Sequence, residues 1–227
     1  MHLPSPTSLE ESTPAKLTIS EVQDAYSRLA PLYGVWEVLT EGRARKLALE
    51  LANARSGEAI LEVAVGPGLA LESLRRANPA GLTVGIDLTP AMLQRTRRRF
   101  RRRSLASPAL LQADARFLPF TDARFDLVFS SYLLDLFSLP DIEKALPEMR
   151  RVLRPSGRLI LVHLRRESSW FDRIWGLFYG MVPMLLGGCR PIRVAPYLPA
   201  AGFTIVEAHR IVQWGIPAEV ILANREG

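Results

Sequence analysis

The stretch Ile60–Leu74, ILEVAVGPGLALESL, limits the possible folds more than any other part of the chain. A short apolar run breaks at Gly66-Pro67-Gly68 and then resumes with apolar residues at helical spacing. That pattern reads as a buried strand, a tight turn and a helix. The same alternation continues downstream. GLTVGIDL reads as a strand, followed by TPAMLQRTRRRFRRR as a helix with Thr89 as N-cap and Pro90 at its first position. PALLQADA, FDLVFSSYLL and GRLILVHL read as further strands. The helix LPDIEKALPEMRRVLRPSG precedes the last of these and is expected to stop at Pro155 and Gly157. Short, continuous apolar strands separated by helices predict an α/β fold, a mostly parallel sheet with helices on both faces. PIRVAPYLPAAGF reads as a short helix. The final runs, TIVEAHRIV and AEVILANR, are joined by a link too short for a crossover helix, so they should pair antiparallel and bring the sheet to seven strands.

Upstream, SEVQDAYSRLAPLYGVWEVL and EGRARKLALELANAR carry helical spacing and predict an N-terminal helical cap. The first 16 residues are rich in Ser, Thr and Pro and read as a disordered tail, leaving 17–227 as a single domain. The chain contains one cysteine, Cys189, which excludes an internal disulfide framework, and its three histidines are scattered, so no metal site is expected. There is no signal peptide pattern and no run of about 18 uncharged apolar residues. The expectation is a cytoplasmic protein.

The formal charge is +6, and seven arginines crowd into RTRRRFRRR, Arg95–Arg103. The run reads as the solvated face and C-terminal end of a helix, where cations are favourable. A nucleic-acid patch is disfavoured because Phe100 is the only aromatic interleaved with the arginines.

In open α/β sheets, ligands bind beyond the carboxyl ends of the strands. The glycine turn belongs there, but it is not a complete dinucleotide fingerprint: Leu71 stands where the third glycine would fall counted from Gly66, and Leu69 where it would fall counted from Ala64. Three acids are more informative. Glu62 lies inside the first strand near its end, Asp87 ends the second and Asp114 ends the third. A buried carboxylate needs a partner, and a ligand bearing an ammonium group and hydroxyls would complement all three.

With ILEVAVGPG, VGIDLTPAML, LQADARFLPFTDARFDLVFSS and VLRPSGRLILV in this order, the chain resembles the class I S-adenosylmethionine-dependent methyltransferases. It is most similar to their ubiquinone/menaquinone C-methyltransferase-like branch, through GIDLTPAMLQRTRRR, LPFTDARFDLV and GGCRPIRVAPYLPAAGF. The resemblance implies a Rossmann-like seven-stranded sheet and S-adenosylmethionine as cofactor. It departs from the family at Ala64, where the family has its first glycine, and at Tyr33-Gly34, where the family often has Tyr-Asp. Residue by residue it implies that Asp87 takes the ribose hydroxyls, and that the backbone from Ala64 through Gly66 to Gly68, with Glu62, holds the amino-acid end. It further implies that Asp114 and Ala115 meet the adenine edge, that Leu88 and Met92 flank the ring, that Ser130 places backbone near the methionine, and that Tyr26 and Tyr33 close over the donor.

Methyl transfer from a sulfonium needs alignment and exclusion of water, and a base only where the acceptor must lose a proton. Tyr132, Asp135 and His163 are the candidates near the ends of the fourth and fifth strands. The segment at about 168–190 is aromatic-rich and broken by Gly176, Gly180 and Pro183. It is expected to form a lid, with Trp170, Trp175, Phe178 and Tyr179 lining a pocket for a lipophilic, quinone- or phenol-like acceptor and touching the membrane surface. A phospholipid amine and a small-molecule oxygen or nitrogen remain open as acceptors, as does the oligomeric state. RNA methylation and NAD-dependent dehydrogenation fit less well.

Overall fold

The computed structural model describes residues 42–167 and 189–227. The tail, most of the N-terminal helical pattern with Tyr26 and Tyr33, and the lid segment with Trp170, Trp175, Phe178 and Tyr179 lie outside them. A helix runs over residues 42–52 (α1). It is followed by β1 Ala59–Val63, α2 Leu69–Ala77, β2 Leu82–Asp87, α3 Pro90–Arg102, β3 Ala109–Gln112 and β4 Phe125–Ser131. Next come α4 Leu139–Val152, β5 Leu153–Leu164, β6 Phe203–Gln213 and β7 Ile216–Arg225. The sheet order is β3-β2-β1-β4-β5-β7-β6, parallel except for β7, which is antiparallel to both its neighbours. The chain reverses its direction of winding between β1 and β4. The crevice at the carboxyl ends of these two strands is therefore the ligand position for such a sheet.

Period-two alternation in the buried strands sends side chains into two cores. Leu61, Val63, Val128, Leu159 and Leu161 meet Ile142, Leu146, Met149 and Val152 of α4 on one face. Ile60, Phe129, Ile160, Val162 and Val220 meet α1 and α2 on the other. Ala44, Ala48 and Ala52 form a stripe of small residues at helical spacing, which lets α1 lie close to the sheet. Arg158 caps the far end of α1 by donating to the Ala52 carbonyl at 2.7 Å while pairing with Glu58 at 2.8 Å.

Four details differ from the sequence expectation. Thr89 sits at the N-cap of α3 in extended conformation, but its side chain makes no capping bond. Helix α4 ends at Val152 and the chain enters β5 at once, because the residue before Pro155 cannot easily be helical. β3 stops at Gln112, so Asp114 lies two residues past its end. The expected helix around Pro191–Phe203 shrinks to a 3-10 turn at Ala195–Tyr197, since Pro196 and Pro199 lack the amides a longer helix needs.

Candidate active site

The glycine turn is held from behind. Ala64, Gly66 and Gly68 have φ of 63°, 51° and 80°, all in the left-handed region. The Thr96 hydroxyl donates to the Gly66 carbonyl at 2.8 Å, and Arg99 Nε donates to the Pro67 carbonyl at 2.8 Å. Both come from α3, so part of the arginine run builds the turn rather than facing solvent. A methyl group on Gly68 would lie 2.7 Å from the Thr96 side chain, which makes glycine obligatory there. At Gly66 a methyl group would meet nothing within 4 Å. The turn is thus packed at Gly68 and open at Gly66, as a cradle for a closely approaching ligand requires.

Asp87 organises the same turn. Its two carboxylate oxygens accept the Gly66 amide at 2.9 Å and the Thr89 amide at 2.8 Å. It is only 8% exposed. Burial pushes its carboxyl above the usual carboxylate range, and the Thr89 and Gly66 amides only partly offset this. A carboxylate has about four acceptor sites, so capacity for ligand hydroxyls remains. Glu62 is 1% exposed and stands opposite Gly85 and Phe129 in the sheet, on the face covered by α1 and α2. The Ser130 hydroxyl donates to the Val63 carbonyl at 3.1 Å and ties the ends of β1 and β4 together across the crevice. Ala115 and Met92 are buried and Leu88 is half-buried.

Asp114 is bound more tightly within the protein than the sequence suggested. Arg116 wraps it with Nη2 at 2.6 Å and reaches Asp141 with Nη1 at 2.8 Å. Burial acts to raise the Asp114 carboxyl, but the Arg116 hydrogen bonds prevail and hold it below its ordinary value. Arg116 was not among the residues expected here. Its signal was an arginine two positions after a strand-end acid, which is weak.

The candidates for proton transfer occupy different settings. Tyr132 follows β4 with φ 54°, buried, its amide donating to the Val162 carbonyl at 2.8 Å. Asp135 is fully buried, and both its oxygens lie 3.1 Å from the Leu164 amide. Burial drives its carboxyl well up, countered by that amide and by the Arg190 charge. His163 is also buried, and its Nε2 is 3.3 Å from Glu219 of β7. Asp135 and His163 therefore each hold a neighbouring strand, whereas Tyr132, just past the carboxyl end of β4, packs into the core on the α1 and α2 face. Among the described residues, no helix is long and apolar enough to cross a membrane.

A methyltransferase-domain family matches residues 60–157, from β1 to the start of β5. The chain is 34% identical over 168 residues to the demethylmenaquinone methyltransferase of Thermus thermophilus, covering 72% of this chain and 75% of that protein. It is 31% identical over 157 residues to the 2-phytyl-1,4-naphtoquinone methyltransferase of Nostoc punctiforme, covering 66% and 67%. Among solved structures, the [4+2]-cyclase SpnF superposes with a TM-score of 0.74 at 19% identity, over 95% of this chain and 98% of that one. Geranyl diphosphate methyltransferase in complex with GPP and sinefungin superposes with 0.65 at 13% identity, over 82% and 78%. The structural likenesses establish the fold, and one of them carries the name of a cyclase, so the sequence relationship decides the activity. With its 3-2-1-4-5-7-6 sheet, its strand-end acids and this relationship, the chain belongs to the class I S-adenosylmethionine-dependent methyltransferases, in their ubiquinone/menaquinone C-methyltransferase-like branch.

Proposed function

We propose that this methyltransferase acts on a lipophilic quinol- or phenol-type acceptor. The observation that carries the reading is the 34% identity, over three quarters of its length, to a protein named for methylating demethylmenaquinone. S-adenosylmethionine supplies an electrophilic methyl group on a sulfonium whose sulfur departs as a neutral thioether.

The residues divide the work as follows. Asp87 takes the ribose hydroxyls on its remaining lone pairs. The Gly66 and Gly68 amides are already used, by Asp87 and by the Val65 carbonyl. The ammonium of the donor is therefore held by Glu62 and by carbonyl oxygens of the turn, each of which has a second lone pair. Ala115, Leu88 and Met92 line the adenine, and Asp114 meets its amino group while shared with Arg116. Ser130 fixes the spacing of β1 and β4 beneath the sulfonium. Tyr132 positions the acceptor ring just past the carboxyl end of β4. Asp135 and His163 set the end of β5 rather than exchange protons with the acceptor. The protein's main contribution is alignment of the reacting atoms in line and exclusion of water.

The test is methylation of a short-chain demethylmenaquinol analogue, read by mass spectrometry, beside phosphatidylethanolamine and a simple catechol. Methyl transfer to the quinol ring carbon is expected, with the ring proton that the methyl group replaces released to solvent water. Transfer confined to the phospholipid amine or to an oxygen would refute the acceptor assignment.

A further inference from the structure

The turn between β6 and β7 consists of Trp214 and Gly215, with φ of 54° and 80°. Gln213 pairs directly with Ile216, so this is a two-residue hairpin with both central residues left-handed. Asn-Gly is the favoured pair in such a turn, and a bulky side chain at its first position is strained. Trp214 is nonetheless placed there and is 83% exposed. Val212 beside it is exposed as well. The tip gains nothing in folding from this indole, so the strain is a pointer to use.

Its position is specific. Leu164, the last residue of β5, pairs with Ala218 near the start of β7. The hairpin tip therefore projects beyond the carboxyl edge of the sheet, the edge on which the glycine turn and Asp87 lie. The start of α1 rests against the same tip, because Gln213 Oε1 accepts the Arg43 amide at 2.8 Å as a capping side chain does. Arg43 is exposed and Lys46, one turn further on, has 81% of its side chain exposed. A cation in the first turn of a helix opposes its dipole, so Arg43 too is placed against local preference, while Lys46 faces Glu50 at 3.9 Å across the next turn. An amphipathic aromatic ring beside a collar of cations matches the interface of an anionic bilayer, where tryptophan settles at the headgroup level and basic side chains meet lipid phosphates.

We propose that Trp214, with Arg43 and Lys46, docks this protein on an anionic membrane surface with the mouth of the active site facing the bilayer. The purpose of such docking rests on the lipophilic-acceptor reading, but its test does not. The full chain is floated with vesicles of phosphatidylglycerol and phosphatidylcholine, and with vesicles of phosphatidylcholine alone. Wild type is expected to float with the anionic vesicles only. Trp214→Asn installs the favoured turn residue, so it should keep or raise the melting temperature while binding falls by roughly tenfold or more. Arg43→Glu with Lys46→Glu should lower binding by roughly tenfold or more as well. Trp214→Asn should still turn over a water-soluble short-chain acceptor. Flotation of Trp214→Asn at the wild-type level, or equal wild-type binding to uncharged vesicles, overturns the proposal. So does light scattering that shows Trp214→Asn splitting a dimer, since the tip would then be a contact between copies of this chain. If anionic binding depends on Trp214 while no quinol is methylated, the docking stands and the acceptor reading falls.

Discussion

Replacing Asp87 by alanine separates two roles that the structure gives to one carboxylate. The Gly66 and Thr89 amides would each lose a charged acceptor, at 2.9 Å and 2.8 Å. A hydrogen bond to a charged group contributes about 1.5–3 kcal/mol, so roughly 3–6 kcal/mol is at stake. The variant also escapes the cost of burying a charge, a cost visible in the raised carboxyl. The net loss of stability should be about 2–4 kcal/mol, which for a chain of this size lowers the melting temperature by roughly 4–16 °C. Asp87→Asn keeps one acceptor oxygen and should fall between the two. Donor affinity should drop by about a hundredfold in the alanine variant, because the ribose contact and the preformed turn are lost together. Scanning calorimetry and titration with S-adenosylmethionine and its demethylated product measure both effects. A variant with the wild-type melting temperature and weakened donor binding would show that Asp87 does not build the turn. A destabilised variant with unchanged affinity would show that it does nothing else.

Two further outcomes follow from the same turn. Ala64→Gly should raise stability by about 1 kcal/mol, or roughly 2–4 °C, because φ 63° strains alanine and not glycine; a lower melting temperature would contradict the left-handed backbone. Donor affinity should decline as pH falls through the raised Asp87 value, because the protonated carboxyl loses acceptor capacity. In the ligand-free protein the sign for stability is opposite: the folded state takes up this proton before the unfolded chain does, so this group alone favours folding more as pH drops. Asp114 and Asp141, both held below their ordinary values, contribute stability that is lost only at still lower pH. Titrations from neutral to mildly acidic pH, with Asp87→Asn as the pH-independent reference, check the first sign.

The parts of this fold legible in the sequence are those set by local periodicity and by single residues. Short apolar runs located the buried strands, and the link between the last two, too short for a crossover helix, announced the antiparallel pair. The turn at Gly66–Gly68 announced the left-handed backbone that the structure shows there. What the sequence did not show were partners distant along the chain. Arg99 was one of seven arginines in a run, and nothing in the run says that its guanidinium reaches back 32 positions to Pro67. Asp135 resembled a residue at the mouth of the site because it follows β4. The buried Arg190 and the Leu164 amide draw it inward, and both lie far along the chain. His163 met Glu219 only because β7 runs antiparallel beside β5.

The three strand-end acids show how neighbours divide residues that look alike. Glu62 is enclosed by the strands on both sides, opposite Gly85 and Phe129, and is almost wholly buried. Asp87 is buried but shares its charge with two amides, which fixes its oxygens and leaves them lone pairs for hydroxyls. Asp114 is half-buried and already carries an arginine, so a ligand there competes with Arg116. Asp141 softens that competition, because it holds Arg116 by a second bond at 2.8 Å when Asp114 turns to a ligand. The Ser138 hydroxyl in turn donates to Asp141 at 2.6 Å and anchors the relay to the start of α4. On the proposed assignment the adenine end of the site is adjustable where the ribose end is rigid, and the difference arises from one arginine placed between two carboxylates.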